Sequence, residues 1–192
     1  MSLLIGRRRV GKDVVASFLE KDYGFTNRKF SEPLKTALCG LFDWSKEHLE
    51  GSLKDAVDPR WGVSPRRTMQ FFGTEVMQFK IQELLAIKPR EFFVKRLFND
   101  IDGKLAAGHN YVISDVRFRH EVNAIKERGG ITIRIKRTND GPFTDAVGAV
   151  DAHESETTTD VLEADHEVVN DSTIENLYAK IRGLHINVNL TI

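Results

Sequence analysis

The stretch Ser2–Leu19, SLLIGRRRVGKDVVASFL, decides the fold. Leu3, Leu4 and Ile5 are a short apolar run that reads as a buried strand. Gly6-Arg7-Arg8-Arg9-Val10-Gly11-Lys12 then spells G-x-x-x-x-G-K, and Val14, Val15, Phe18 and Leu19 follow at helical spacing. Strand, glycine-cornered loop, lysine and helix is the layout of a loop that wraps phosphate. Glycine lets backbone N–H groups turn inward without a Cβ clash. The helix start adds unpaired N–H donors and the positive end of its dipole. Lys12 supplies a point charge for the β- and γ-phosphates. One position departs from the usual pattern: Asp13 stands where a Ser or Thr hydroxyl normally holds Mg²⁺. A carboxylate beside a triphosphate is repulsive unless a cation lies between them, a charge that Arg7, Arg8, Arg9 and Mg²⁺ could supply. The alternative is that Asp13 serves only the helix dipole.

Beyond the loop, strands and helices alternate. The first helix is expected from about Asp13 to Tyr23 with Gly24 as its stop, and Phe25–Phe30 as a second strand. Ser31-Glu32-Pro33 opens a helix carrying Leu34, Leu38 and Leu41. Lys35 in its first turn opposes the dipole, so it either faces a phosphate or is simply solvated. Trp44–Ser64 is polar and irregular, with one short helix over Glu47–Leu53. Ser64-Pro65 opens a long helix with Met69, Phe72, Val76 and Phe79 as its apolar stripe. Arg66, Gln70 and Thr74 then share another face over about 12 Å, which suits a phosphate followed by sugar and base. The bland reading is a solvated polar face. Gly73 within this helix implies close approach of a ligand or another helix.

Glu91–Ala107 reads as a helix burying Phe93, Leu97, Ile101 and Leu105, stopped at Gly108. Asn110–Ser114 is a strand ending at Asp115. Ligands bind at the carboxyl ends of strands in open α/β sheets, which puts Asp115 and Arg117 on the rim of the phosphate loop. Asp115 resembles the acid that holds Mg²⁺ at such a strand end; otherwise it caps the next helix, Glu121–Arg128. Ile131, Ile133 and Ile135 alternate with Thr132, Arg134 and Lys136, a strand with one polar face. Thr138–Thr159 has little apolar content and is expected to be a lid, about 138–160, with His153-Glu154-Ser155-Glu156 an exposed turn rather than a metal site. Asp165–Val169 is the last strand before a capping-box helix start at Ser172–Glu175. The alternating tail Ile186–Ile192 reads as an edge strand.

The 192 residues fit one domain, with an acceptor-binding helical region at about 31–108. Hydrophobic content of 41% and a formal net charge of +0 argue against a general nucleic-acid or membrane binder. The single cysteine, Cys39, excludes an internal disulfide and suits a reducing compartment. Neither a signal peptide nor a membrane span is apparent, so a cytoplasmic location is expected. A homodimer is left open.

The blocks GRRRVGKD, FSEPLKTAL, SPRRTMQFFGTE, FFVKRLF, YVISDVRFRHEVNAIKERGG and HEVVNDST occur in the order seen in phage-type deoxynucleoside monophosphate kinases, which this chain resembles over nearly its whole length. The resemblance implies a three-layer α/β/α P-loop kinase with a mainly parallel sheet and a mobile lid, ATP and Mg²⁺ as cofactors, and a dNMP as substrate. It makes Gly6 to Val14, including Arg7, Arg8, Arg9, Val10, Gly11, Lys12 and Asp13, look like the ATP phosphate site. Arg137, Asn170 and Asp171 look like its adenine side. Arg66, Arg67, Gln70, Thr74 and Glu75, with Lys35, look like the dNMP side. Lys12, Asp13, Asp115 and Arg117 look like the catalytic centre, Asp13 and Asp115 the metal side of it. Animal phosphomevalonate kinase also resembles the G-K-D loop and the D-x-R strand end, but would not need an amide-hydroxyl face. A regulator that holds ATP without turnover is the reading outside enzymology.

Overall fold

The computed structural model describes residues 1–7, 9–138, 162–184 and 186. Arg8, the expected lid beyond Thr138, the His153–Glu156 turn and the tail strand apart from Ile186 lie outside these. In chain order the elements are β1 (Ser2–Ile5), α1 (Lys12–Tyr23), β2 (Thr26–Arg28), α2 (Glu32–Phe42), α3 (Lys46–Glu50), α4 (Pro65–Gln70), α5 (Phe92–Ala106), β3 (Tyr111–Ile113), α6 (Arg119–Lys126), β4 (Ile131–Arg137), β5 (His166–Asn170) and α7 (Ile174–Arg182). The chain divides into two compact units, one made of Met1–Lys29 with Asn99–Ile192, the other of Phe30–Phe98.

The first unit is built on a five-stranded sheet in the order β2-β3-β1-β4-β5, with every neighbouring pair parallel. β1 sits in the middle, pairing Leu3 with Ile113 on one side and Leu4 with Ile133 on the other. Successive side chains of a strand point to opposite faces. Leu4 and Ile5 are both fully buried, so both faces of the sheet are covered, as an all-parallel sheet requires. Leu4, Val15, Leu19, Ile133, Ile135, Leu177 and Ile181 belong to one apolar cluster. Phe18 of α1 stacks on Tyr178 of α7, with ring centroids 4.2 Å apart. Gly24 ends α1 in the left-handed region, as its position after the apolar stripe predicts.

Two expectations about this unit, the length of β2 and the cap of α7, are corrected. Phe25–Phe30 is a shorter strand, because β2 has β3 as its neighbour and that ladder is Tyr111–Ile113 alone. The alternation expected for β4 is present, and its more polar face is partly covered: Thr132 is fully buried and Arg134 nearly so, whereas Lys136 is exposed. The two buried residues lie between β1 and β5 and find local partners. The Thr132 hydroxyl and N–H donate to Asp165, and Arg134 donates to the Leu162 carbonyl. The cap of α7 is Thr173, whose hydroxyl accepts from Asn176 N, rather than Ser172 with Glu175.

The second unit has a smaller core of Leu38, Trp44 and Leu49, with Leu34, Phe42, Met69 and Phe72 packed on it. Leu41, expected in the apolar stripe of α2, is 65% exposed. The irregular stretch after α3 is tied by Asp58, which accepts from Trp44 Nε1 at 2.7 Å and from the Arg60 guanidinium at 2.8 Å. The Arg60 fork, helped by Trp44, holds the Asp58 carboxyl well below the usual carboxylate range.

The long helix expected from Pro65 onward exists but changes type. Ser64 caps it, accepting from Arg67 N, and Pro65 opens it. α-Helical bonding ends at Gln70, and Phe71–Phe79 continues as a π-helix before a short 3₁₀ turn at Lys80–Glu83. Bonding from i to i+5 widens each turn, so a 3.6-residue period fails past Gln70. Phe79, expected inside, is 37% exposed, whereas Thr74 and Gln78 are buried. At Gly73 a Cβ would lie 3.1 Å from Leu34 Cδ2, so close approach of α2 accounts for the glycine.

Candidate active site

Because all strands of the sheet are parallel, their carboxyl ends share one rim. β1 ends at Ile5 and gives way to the glycine-cornered loop. β3 ends at Ile113, two residues before Asp115, and β2 ends at Arg28, beside Lys29. The loop follows from its backbone: Gly6 has φ 148°, Arg9 φ 61° and Gly11 φ 109°. Side chains are excluded at both glycines by close neighbours. A Cβ on Gly6 would lie 2.4 Å from the Ile135 carbonyl, and one on Gly11 would lie 2.8 Å from Asn170 Nδ2. Asn170 Nδ2 also donates to the Val10 carbonyl at 2.9 Å, tying the loop to the end of β5. The β4–β5 register sets Arg137 opposite Asn170. Asp171, next in line, pairs with Lys180 at 2.7 Å, which lowers its carboxyl pKa.

Lys12 lies in the first turn of α1. Its ammonium donates to the carbonyls of Gly6 at 2.7 Å and Arg7 at 2.5 Å. Burial pushes its pKa down to about 8; the positive charges of Arg117 and Lys29 add to this, while Asp13 and Asp115 oppose it. Four charged side chains, Arg117, Lys29, Asp13 and Asp115, therefore act on Lys12 at the strand rim. Asp13 is exposed and its carboxylate lies 3.1 Å from Lys29 Nζ.

The carboxylate that reaches back to the start of α6 is that of Glu121, which sequence reasoning missed. Its Oε2 accepts from Arg117 N at 2.8 Å and Phe118 N at 3.1 Å. Glu121 is buried, and burial raises its pKa to about 8. A Glu at the third position of a helix was the available signal. Glu121 thus fixes the backbone carrying Arg117.

The expected acceptor residues all lie in the Phe30–Phe98 unit. Arg66 forks onto Asp55 through Nε and a terminal nitrogen. Lys35 pairs with Glu50 at 2.8 Å. Arg67 and Glu75 are exposed, Gln70 is half-buried and Thr74 is buried. The helix does not present Arg66, Gln70 and Thr74 alike, because Thr74 falls past the change from α to π bonding.

A strand, a glycine-cornered loop and a helix-borne lysine on the rim of a parallel sheet are the arrangement of a P-loop nucleotide-binding protein of the α/β class. Residues 45–181 match the family described as Deoxynucleotide monophosphate kinase. A protein of Acanthamoeba polyphaga mimivirus, named provisionally as a deoxynucleotide monophosphate kinase, is 32% identical over 185 residues, which is 93% of this chain and 92% of that one. This chain belongs to the deoxynucleotide monophosphate kinase family. The deoxynucleotide monophosphate kinase of Enterobacteria phage T4 is 26% identical over 128 residues, 66% of this chain but 46% of its own length. The chain therefore spans about half of that phage relative. Among solved structures, a sugar kinase from Janibacter aligns over 95% of this chain and 91% of its own, with 12% identity and a TM-score of 0.49.

Proposed function

We propose that the chain transfers the γ-phosphoryl group of ATP to a deoxynucleoside monophosphate, giving ADP and a deoxynucleoside diphosphate. The observation that carries this reading is Lys12. Its partly desolvated ammonium is held by the Gly6 and Arg7 carbonyls at the mouth of a loop whose glycines leave no room for side chains. Such a charge is suited to an anion. The family match and the viral relatives support the acceptor.

The residues also fit Mg²⁺. That ion keeps several waters and takes one or two carboxylates plus phosphate oxygens. Asp13 and Asp115 offer two carboxylates whose charge reaches Lys12. Among the described residues no group of three or more His, Cys, Asp or Glu is gathered into a metal cage, which suits an ion carried mainly by nucleotide and water. Mg²⁺ would supply charge neutralisation across the phosphates.

Phosphoryl transfer is mostly positioning and electrostatics. The Gly6–Val14 backbone holds the donor phosphates, and Lys12 turns from its loop carbonyls toward the γ-phosphate. Arg117, on backbone fixed by Glu121, covers the transferring group. Arg137, Asn170 and Asp171 flank the adenine. Arg66 and Arg67, with Lys35, take the acceptor phosphate, and Gln70, Thr74 and Glu75 take its sugar and base. The acceptor phosphate is already nucleophilic, so no strong base is needed. The viral relatives support a place in the host cytoplasm, and among the described residues no helix is long and apolar enough to cross a membrane.

The test is ADP release from ATP with a panel of dNMPs, NMPs and phosphomevalonate. Turnover confined to dNMPs, or strongly favouring them, is expected. Preference for phosphomevalonate, or ATP binding without turnover of any acceptor, overturns the reading.

A further inference from the structure

We propose that Lys29, at the carboxyl end of β2, is the charge-compensating residue of the phosphate site, neutralising Asp13 so that a polyphosphate can approach the start of α1. This rests on the assignment of Gly6–Val14 as the donor site. Asp13 is a carboxylate in the first turn of α1, next to Lys12, at the point where the helix dipole and loop amides attract anions. Left alone, it would oppose the field that recruits a polyphosphate.

Strand geometry delivers the cation. Successive side chains of an extended chain point to opposite faces. Arg28, the last residue of β2, pairs with Asp100 of α5 at 2.5 Å. Lys29, one residue on, brings its Nζ to 3.1 Å from Asp13 Oδ1, which is 16 residues away in the chain. Its side chain is only 30% exposed, whereas that of Asp13 is 79% exposed. The lysine is therefore the more confined partner. An exposed ion pair contributes little to stability, so its value lies in the local field. The charge of Lys29 reaches the Lys12 ammonium as well. A cation in this position also explains how the loop tolerates aspartate in place of a hydroxyl.

The experiment is calorimetric titration with ATP, with and without Mg²⁺, of wild type, Lys29→Ala, Lys29→Arg, Asp13→Asn, Lys29→Ala/Asp13→Asn and Lys12→Ala. Thermal melts check that each variant folds. Lys29→Ala is expected to weaken Mg²⁺-free ATP about tenfold, and less with Mg²⁺ present. Lys29→Arg stays within about threefold of wild type. Asp13→Asn in the Lys29→Ala background restores most of the loss, because no negative charge then needs an answer. An unchanged affinity for Lys29→Ala overturns the proposal. So does a double variant as weak as Lys29→Ala, which would mean that Lys29 touches phosphate directly. Lys12→Ala separates this from the underlying assignment: normal ATP binding by Lys12→Ala would remove the donor site itself, whereas loss of binding there with no effect at Lys29 removes the compensation alone.

Discussion

The sheet unit and the Phe30–Phe98 unit are held together differently. In the first, β1 is locked on both sides by parallel neighbours, and fully buried aliphatics fill the space beneath α1 and α7. In the second, the core is Leu38, Trp44 and Leu49, and the chain between α3 and α4 depends on the Asp58 carboxylate gripping Trp44 and Arg60. The second unit also exposes Leu41, Val57, Trp61, Phe71 and Leu84. Groups assigned to the phosphate donor hang from a deep scaffold. Groups assigned to the acceptor hang from a shallow one, along a helix that changes type partway. Regions with few buried apolar contacts open at lower free energy, so the shallow unit is where motion costs least.

The largest expected effect separates the two units by function. Lys12→Ala should lower kcat/KM about 10²–10³-fold with ATP binding lost. Arg66→Ala should raise the dNMP KM at least tenfold and leave ATP binding close to wild type, read by steady-state kinetics and titration. Equal losses for both ligands in Arg66→Ala would break the division. The next effect concerns stability. Leu19 and Leu38 are both fully buried, and truncating either to Ala should cost about 2–5 kcal/mol. Hydrogen exchange should show Leu38→Ala releasing the amides of 30–98 first, with the sheet still protected. Simultaneous release of both units would merge them into one cooperative structure.

A third test uses pH. Lys12 in the free protein titrates near 8, because burial and then Arg117 disfavour its charge. A bound polyphosphate favours that charge and raises the value. ATP affinity is therefore full below about pH 8 and falls above it, at most tenfold per pH unit, with proton uptake on binding measurable in buffers of different ionisation enthalpy. dNMP affinity, governed by arginines, should not share that slope between pH 8 and 9. The smallest effect is Gly73→Ala. Gain in helix propensity is set against a Cβ 3.1 Å from Leu34 Cδ2, so thermal denaturation should place it within about 1 kcal/mol of wild type.

The same contrast governs what could be read from the amino acids. The glycine-cornered loop and α1 with its stop at Gly24 follow local rules, and the structure displays them, whereas the strand expected over Asn110–Ser114 is confined to Tyr111–Ile113. The burial of Thr132 and Arg134 is not legible, because alternation records which residues are polar, not whether Asp165 or Leu162 will cover them. The stripe through Phe79 fails because periodicity assumes one helix type, and the π-helix breaks it after Gln70. Glu121 and Lys29 escaped notice because their partners, Arg117–Phe118 backbone and Asp13, are set by turns and by pairing across the sheet. Asn170 carries a resemblance to the adenine side, and its observed bond is to the Val10 carbonyl, a contact spanning 160 residues that no local pattern reports.

That clasp has a consequence for synthesis. The glycine-cornered loop leaves the ribosome well before its partners: among the described residues its strand pairs with Tyr111–Ile113 and Ile131–Arg137, and Val10 is tied by Asn170. Contacts so distant along the chain are slow to form. A nascent polypeptide stalled before Asn170 would carry the whole glycine-cornered loop and still lack the side chain that ties Val10 to the end of β5.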